Sequence, residues 1–207
     1  LIFFIFSLLS YSQNNFTSAR SIEISENNYE EQLRSSIVKN IELTNIGPSV
    51  MSGRVTDLEV NPNNPTEFYV AYASGGLWHT KNNGTTFSPI MDNSMTQNIG
   101  DFAIDWKSNS IYVGTGESNS SRSSYPGIGI LKSNDNGSTW SNIGLRDSHH
   151  ISRVLVNPNN ENHIVVAVIG HLYTKNTQRG IFTSFDNGKT WEKSLFINDH
   201  TGAIDLV

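Results

Sequence analysis

Three octapeptides decide how this chain reads: Thr80-Lys-Asn-Asn-Gly-Thr-Thr-Phe87, Ser133-Asn-Asp-Asn-Gly-Ser-Thr-Trp140 and Ser184-Phe-Asp-Asn-Gly-Lys-Thr-Trp191. Each sets an Asn-Gly pair between a hydroxyl residue and an aromatic one. Asn-Gly suits the tight hairpin turn whose two central residues take positive φ, so each octamer predicts a turn closing two antiparallel strands. The residue just ahead of the pair, Asn82, Asp135 or Asp186, is placed to accept backbone N–H groups across the turn. Phe87, Trp140 or Trp191 then supplies a large apolar plug. Asn83-Gly-Thr85 and Asn136-Gly-Ser138 also spell glycosylation sequons, but inside these turns, and are read as turn chemistry. The turn glycines Gly84, Gly137 and Gly188 stand 53 and then 51 residues apart.

A second anchor lies upstream of each octamer: Val60-Asn-Pro-Asn-Asn64, then Ile104-Asp-Trp106, then Val156-Asn-Pro-Asn-Asn160. Two anchors in the same order define a repeat. Each repeat holds four short β-branched or aromatic runs separated by Asn, Gly, Pro and Ser. The expected strands are 54–60, 67–73, 77–81 and 85–90, then 101–105, 110–114, 129–133 and 138–143, then 153–157, 163–168, 180–184 and 189–196. Four strands in each repeat match a propeller blade. The expected fold is therefore all-β, an incomplete β-propeller of four-stranded antiparallel blades at about 50–91, 99–144 and 150–196. A fourth begins at 202, where Asp205-Leu206 repeats Asp57-Leu58. A propeller closes with about four to eight blades, so the natural protein is expected to be longer than this chain, which would leave sheet edges open to association. A parallel β-helix is the alternative, but its turns are shorter and lack the hairpin.

The second and third octamers resemble the Asp box of BNR-repeat proteins, Ser/Thr-x-Asp-x-Gly-x-Thr-Trp, found in sialidases, xyloglucanase-type glycoside hydrolases and sortilin-like receptors. The first departs from it at Asn82 and Phe87. Further pieces extend the likeness to large exported bacterial propellers of the sortilin-like and xyloglucanase-like group: Ile46-Gly-Pro48, Ser52-Gly-Arg-Val55, Ser74-Gly-Gly-Leu-Trp78, Gly114-Thr-Gly-Glu117, and Gly170-His-Leu-Tyr173 leading to Arg179-Gly180. Together they cover about 145 of 207 residues. The resemblance implies that the boxes sit on the periphery as framework, with Asn82, Gly84, Phe87, Asp135, Gly137, Trp140, Asp186, Gly188 and Trp191 structural rather than catalytic. It implies function less sharply, because such propellers host unrelated activities. Xyloglucanase-type families carry a catalytic Asp just before a Gly-Gly in the first blade, whereas Ala73-Ser74-Gly75-Gly76 offers no carboxylate here. The Arg-Ile-Pro start and Arg triad of sialidases are also missing.

Blade geometry sorts the remaining candidates. The loops joining strands one to two and three to four share one rim, and these are the short Asn-Pro and Asn-Gly turns. The opposite rim receives the strand-two-to-three loops, of which 115–128 and 169–179 are long, and long loops on a rigid scaffold carry binding. Arg54, Glu117, Arg122, Tyr125, His171, Tyr173 and Arg179 are the expected ligand-binding residues. The blade connections add Asp92, Arg146, Asp147, His149, His150, Asp199 and His200. Glu117 and Arg122 are expected to pair or to hold their loop. Adjacent His149 and His150 are not expected to hold a metal, because neighbours on a strand point to opposite faces and no third ligand is evident. No cofactor is expected. The leading expectation is a recognition propeller binding a glycan or polypeptide on the long-loop rim. The alternative is a glycoside hydrolase with carboxylates partly outside this chain, an inverting pair standing about 6.5 to 9.5 Å apart, for which Glu117 is the best candidate acid or base.

With 36% hydrophobic and 10% aromatic residues the chain can build a core. Its 14 basic and 19 acidic residues show no basic stripe, which argues against a nucleic-acid partner. It has no cysteine, hence no disulfide framework. The apolar run 1–9 before Ser10-Tyr11-Ser12 reads as the end of a signal peptide, residues 1–12, too short to cross a bilayer. Export to the periplasm, cell surface or medium is the expectation. Residues 13–45 are a polar lead-in, with Leu33, Ile37 and Ile41 spaced for a short helix over 29–42.

Overall fold

The computed structural model describes residues 16–41, 53–119 and 124–207. The signal peptide reading, Ile46-Gly-Pro48, Ser52 and Arg122 lie outside them. One helix, α1 (Ala19–Ser35), precedes twelve strands arranged as three four-stranded antiparallel sheets. The first sheet runs β1 (Val55–Val60), β2 (Phe68–Tyr72), β3 (Gly76–Thr80) and β4 (Ser88–Pro89). The second runs β5 (Ile99–Asp105), β6 (Ser110–Thr115), β7 (Ile130–Ser133) and β8 (Ser141–Asn142). The third runs β9 (Ile151–Asn157), β10 (Asn160–Val168), β11 (Gly180–Ser184) and β12 (Glu192–Leu195). These are three blades of a β-propeller, in the expected order and nearly the expected places. The outer strands β4 and β8 are only two residues long, because the octamer turns consume most of the segments expected as strand. Residues 201–207 form no strand, although Ala203 N donates to Val168 O at 3.0 Å on the flank of the third blade.

The blades pack face to face, and the core lies between them. Tyr69, Leu77, Ile99, Phe102 and Val113 join the first blade to the second; Tyr112, Ile130, Ile151, Ile164 and Phe182 join the second to the third. The middle blade is thus covered on both faces, and every residue of β6 is buried. That explains its near-continuous apolar run Ile111-Tyr-Val113. By contrast β1 alternates exposed and half-buried positions, with Val55, Leu58 and Val60 open.

The octamers form as the Asn-Gly pairs require. Asn83, Asn136 and Asn187 take φ of 55°, 57° and 63°, and Gly84, Gly137 and Gly188 follow at 78°, 87° and 82°. Ser133 Oγ donates to Asp135 Oδ1 at 2.8 Å and accepts from Gly137 N at 2.8 Å. Asp135 in turn accepts from Thr139 N at 2.8 Å and Thr139 Oγ1 at 2.6 Å. These bonds hold the Asp135 carboxyl below its usual range, and the same set takes Asp186 down to about 2. Asn82 keeps the geometry with reversed chemistry, since its amide Nδ2 donates to Thr86 Oγ1 at 2.9 Å. The tryptophans do more than plug the turn. Trp140 Nε1 donates to Ile90 O at 3.1 Å and Trp191 Nε1 to Ile143 O at 2.8 Å, so each ties its blade to the outer strand region of the one before. Gly137 abuts the same place: a Cβ there would stand 2.8 Å from Ile90 O. Phe87, which has no N–H to offer, packs edge-on against Phe68.

The helix occupies 19–35 rather than the expected 29–42. Ser18 caps it by accepting Ser21 N at 3.2 Å, and the chain leaves the helix at Ser36, which is extended. Ser35 Oγ meanwhile bonds the Glu31 carbonyl at 2.8 Å, a hydroxyl competing for the last turn. Among the described residues no helix is long and apolar enough to cross a membrane.

Candidate functional site

The inner strands β1, β5 and β9 carry a charged residue at one common register position: Asp57 opposite Ala71, Asp101 opposite Gly114 and Arg153 opposite Ala167. Each sits just past a bulge. Asp205 of the next segment meets the same row, 3.4 Å from Arg153 Nε. Asp101 is 3% exposed and accepts Val154 N at 2.7 Å, locking the second blade to the third. Burial first, and Asp57 beside it, push its carboxyl well up. Glu59 is likewise raised, to about 7, by burial and Asp57. Sequence reading found Asp57-Leu58 and Asp205-Leu206 but missed Asp101 and Arg153; the shared register after the inner-strand bulge was the available signal.

On the long-loop rim, the connection from β8 to β9 meets the β10–β11 loop. Asn176 pins both, donating to Asp147 O at 2.7 Å and accepting His171 N at 3.1 Å. Arg179, expected at a ligand, is instead 5% exposed. Its guanidinium donates to the carbonyls of Ile169 at 2.7 Å, Thr174 at 2.9 Å and His200 at 3.2 Å, and to that of His171. A planar fork with five donors suits a loop that turns several carbonyls inward.

Glu117 is also buried, at 1% exposed, and its partner is Arg54 across the blade gap, which donates to Oε1. Oε2 has no hydrogen-bond partner among the described residues. Its backbone is held as well: the amide donates to Tyr125 O at 3.2 Å, and the carbonyl accepts His150 Nδ1 at 2.8 Å. A carboxylate sealed in this way braces the loop and is closed to a substrate. Arg54 itself is half exposed.

His149 and His150 do not lie on a strand. His149 takes φ of 56° in the connection, ahead of β9. That turn carries it onto His171, the ring centroids 3.6 Å apart and the planes 21° from parallel. His171 Nε2 stands 3.3 Å from Asp147 Oδ1. The donors that were not evident beside His149 come from a different loop, His171, and from two residues upstream, Asp147, while His150 takes no part and bonds the Glu117 carbonyl. Burial holds all three imidazoles towards their neutral form, lowering His150 to about 4 with His149 and His171 adding to the effect. Asp147 pulls His171 the other way. The lead-in segment closes over this group: Thr17 O accepts His149 Nε2 at 3.2 Å, the Phe16 ring lies 4.6 Å from that of His171, and Glu26 of α1 pairs with Arg146 at 2.6 Å.

Beside the histidines opens a solvent-facing cleft of about 790 Å³, bordered by Phe16, Tyr173, Lys175, His200 and Ile204. Tyr173 is 82% exposed and Tyr125, on the neighbouring loop, 53%. Of the seven residues expected to meet a ligand, these two and Arg54 present themselves to solvent; Glu117, His171 and Arg179 face inward because the loops' backbone carbonyls and buried rings need them.

Three face-to-face blades with their first strands at the centre place the chain in the β-propeller class. No protein-family model and no curated protein matches it. Among solved structures, an ancestral GH74 enzyme superposes with a TM-score of 0.59 at 20% identity, over 78% of this chain and 21% of its own. A GH74 enzyme of Niastella koreensis gives 0.40 at 19% identity, over 66% and 28%. YCF48 from Cyanidioschyzon merolae gives 0.46 at 17% identity, over 73% and 40%. The chain spans about a fifth of the length of the ancestral enzyme, and at such identity the common feature is the fold.

Proposed function

We propose that these blades belong to an exported propeller of the BNR-repeat, sortilin-like and xyloglucanase-like group, with the octamers as its Asp boxes, and that the long-loop rim binds a carbohydrate. Tyr173 carries the reading. A tyrosine left 82% exposed at the edge of a polar cleft offers a flat ring for the apolar face of a sugar, with Lys175 and His200 nearby to hydrogen-bond hydroxyls. The ancestral GH74 enzyme, similar in fold, fits a glycan-related role. The test is binding of the purified chain and its parent protein to plant and bacterial polysaccharides and to peptide libraries. Tyr173→Ala and Tyr125→Ala should each weaken carbohydrate binding by about tenfold or more. Binding unchanged in both variants, or binding confined to peptides, overturns the proposal. A glycoside hydrolase is the second reading, with catalytic carboxylates partly elsewhere in the protein. Glu117, sealed by Arg54, weighs against itself as its acid or base, and polysaccharide turnover abolished by Glu117→Gln would reverse the preference.

A further inference from the structure

We propose that Asp147, His149 and His171 form a binding site for a divalent first-row transition-metal ion of zinc's type. One nitrogen from each imidazole and one carboxylate oxygen lie within 4.8 Å of one another. His171 supplies an independent pointer. Its side chain is 1% exposed, and Nε2 faces Asp147 Oδ1 at 3.3 Å yet makes no hydrogen bond. Buried ring nitrogens are seldom left orphaned, and one that faces a carboxylate, with a second imidazole stacked alongside, is explained by an ion taken up among them.

The outer contacts have the matching form. His171 Nδ1 lies 2.7 Å from Thr174 Oγ1, which leaves Nε2 for the ion. His149 Nε2 donates to Thr17 O at 3.2 Å, which leaves Nδ1 as its lone-pair nitrogen. Metal-binding histidines are held in this way, one ring nitrogen anchored to a hydroxyl or carbonyl and the other on the metal. Two imidazoles and one carboxylate select zinc, cobalt or nickel over calcium and magnesium, which take oxygen ligands. Ligand atoms around a tetrahedral zinc ion stand about 3.4 Å apart, and the His171–Asp147 pair is already so spaced. The stacked rings of His149 and His171 must turn for both lone pairs to meet one ion. Since His149 hangs from Thr17, loading the site also draws on the lead-in segment that covers it. Three protein ligands leave a further position to water.

The site is tested on the whole chain, stripped with a chelator and titrated with Zn²⁺ by calorimetry, and with Co²⁺ followed by visible absorption. One ion per chain is expected, with the intense bands of four- or five-coordinate cobalt. Asp147→Asn and Thr174→Val should each weaken Zn²⁺ binding about 10- to 100-fold, His171→Ala more, while His200→Ala leaves it unchanged. Absence of saturable Zn²⁺ uptake, or uptake indifferent to Asp147→Asn and lost in His200→Ala, overturns the site. Should His171→Ala fail to fold, the wild-type cobalt spectrum and Asp147→Asn decide, and a weak octahedral spectrum counts against the site.

Discussion

Thr139 and Thr190, on successive blades, donate to Asp135 and Asp186 at the same 2.6 Å, and Ser133 and Ser184 repeat each other's 2.8 Å contacts. On the opposite rim the repetition stops at the strand ends, where the amides of Ala73, Gly116 and Ile169 donate to the carbonyls of Arg54, Asn98 and His150 at 2.9, 2.9 and 3.0 Å, and the described loops beyond them differ. Arg179 collects four carbonyls in the third blade, whereas the corresponding loop of the first is the tight Ala73-Ser-Gly-Gly76 turn. The hydroxyl and carboxylate bonds inside each octamer close over at most four residues, and the tryptophan N–H reaches back to the preceding blade. Those of the other rim join His150 to Glu117 over 33 residues and His149 to Thr17 over 132. One rim is a local device copied blade by blade, the other a single assembly of distant loops, so disturbing the first should cost stability and disturbing the second should cost stability only where a residue is turned inward.

The largest effect is expected at Trp191. Trp191→Ala should lower unfolding free energy by about 3–5 kcal/mol in urea titrations and Trp191→Phe by about 1 kcal/mol, the bond to Ile143 O alone. A loss below 1 kcal/mol for the alanine variant would break the assignment of that rim as framework. Arg179→Met comes next, at about 2–4 kcal/mol, since it strands carbonyls that now accept from the guanidinium. Were it neutral in thermal melts, the inward role of Arg179 would be wrong and the residue would return to the ligand-binding set.

A smaller effect is expected on the inner strands. Asp101 holds its proton in the folded chain at pH values where an unfolded carboxyl has lost it, so its contribution is fully present below the ordinary carboxyl range and is lost as pH rises to about 8. Glu59, at about 7, acts in the same sense. The buried histidines act oppositely, costing stability as pH falls below their ordinary value. The difference isolates the carboxyl: Asp101→Asn should gain on wild type by about 1 kcal/mol between pH 5 and 8, read from paired melts. A constant difference would remove the raised carboxyl. The smallest stability effect is at Tyr173, where Tyr173→Ala should stay within about 0.5 kcal/mol of wild type even as carbohydrate binding falls.

Much of this was legible beforehand, and the reason is spacing. Asn-Gly fixes the turn through φ, the octamer's hydroxyl and carboxyl bond their own neighbours, and the recurrence of Gly84, Gly137 and Gly188 sets the blades. Even Asn82 and Phe87 announced themselves as departures. The rim loops were located correctly, but not the direction their side chains take. Glu117 was expected to pair with Arg122, five residues on, or to hold its loop; it holds the loop, with Arg54, 63 residues distant, as its partner, and Arg122 lies outside the described residues. Asp147, His149 and His171 were not seen as a group because His149 leaves the extended conformation and a separate loop supplies His171.

The amino-acid sequence by itself determined the blades, because a hairpin turn is settled by residues in contact along the chain. Tertiary structure alone decided which charges meet in one row on the inner strands, which loop residues are sealed and where the histidines converge, because those depend on blades stacking so that each offers its carbonyls and charges to the next.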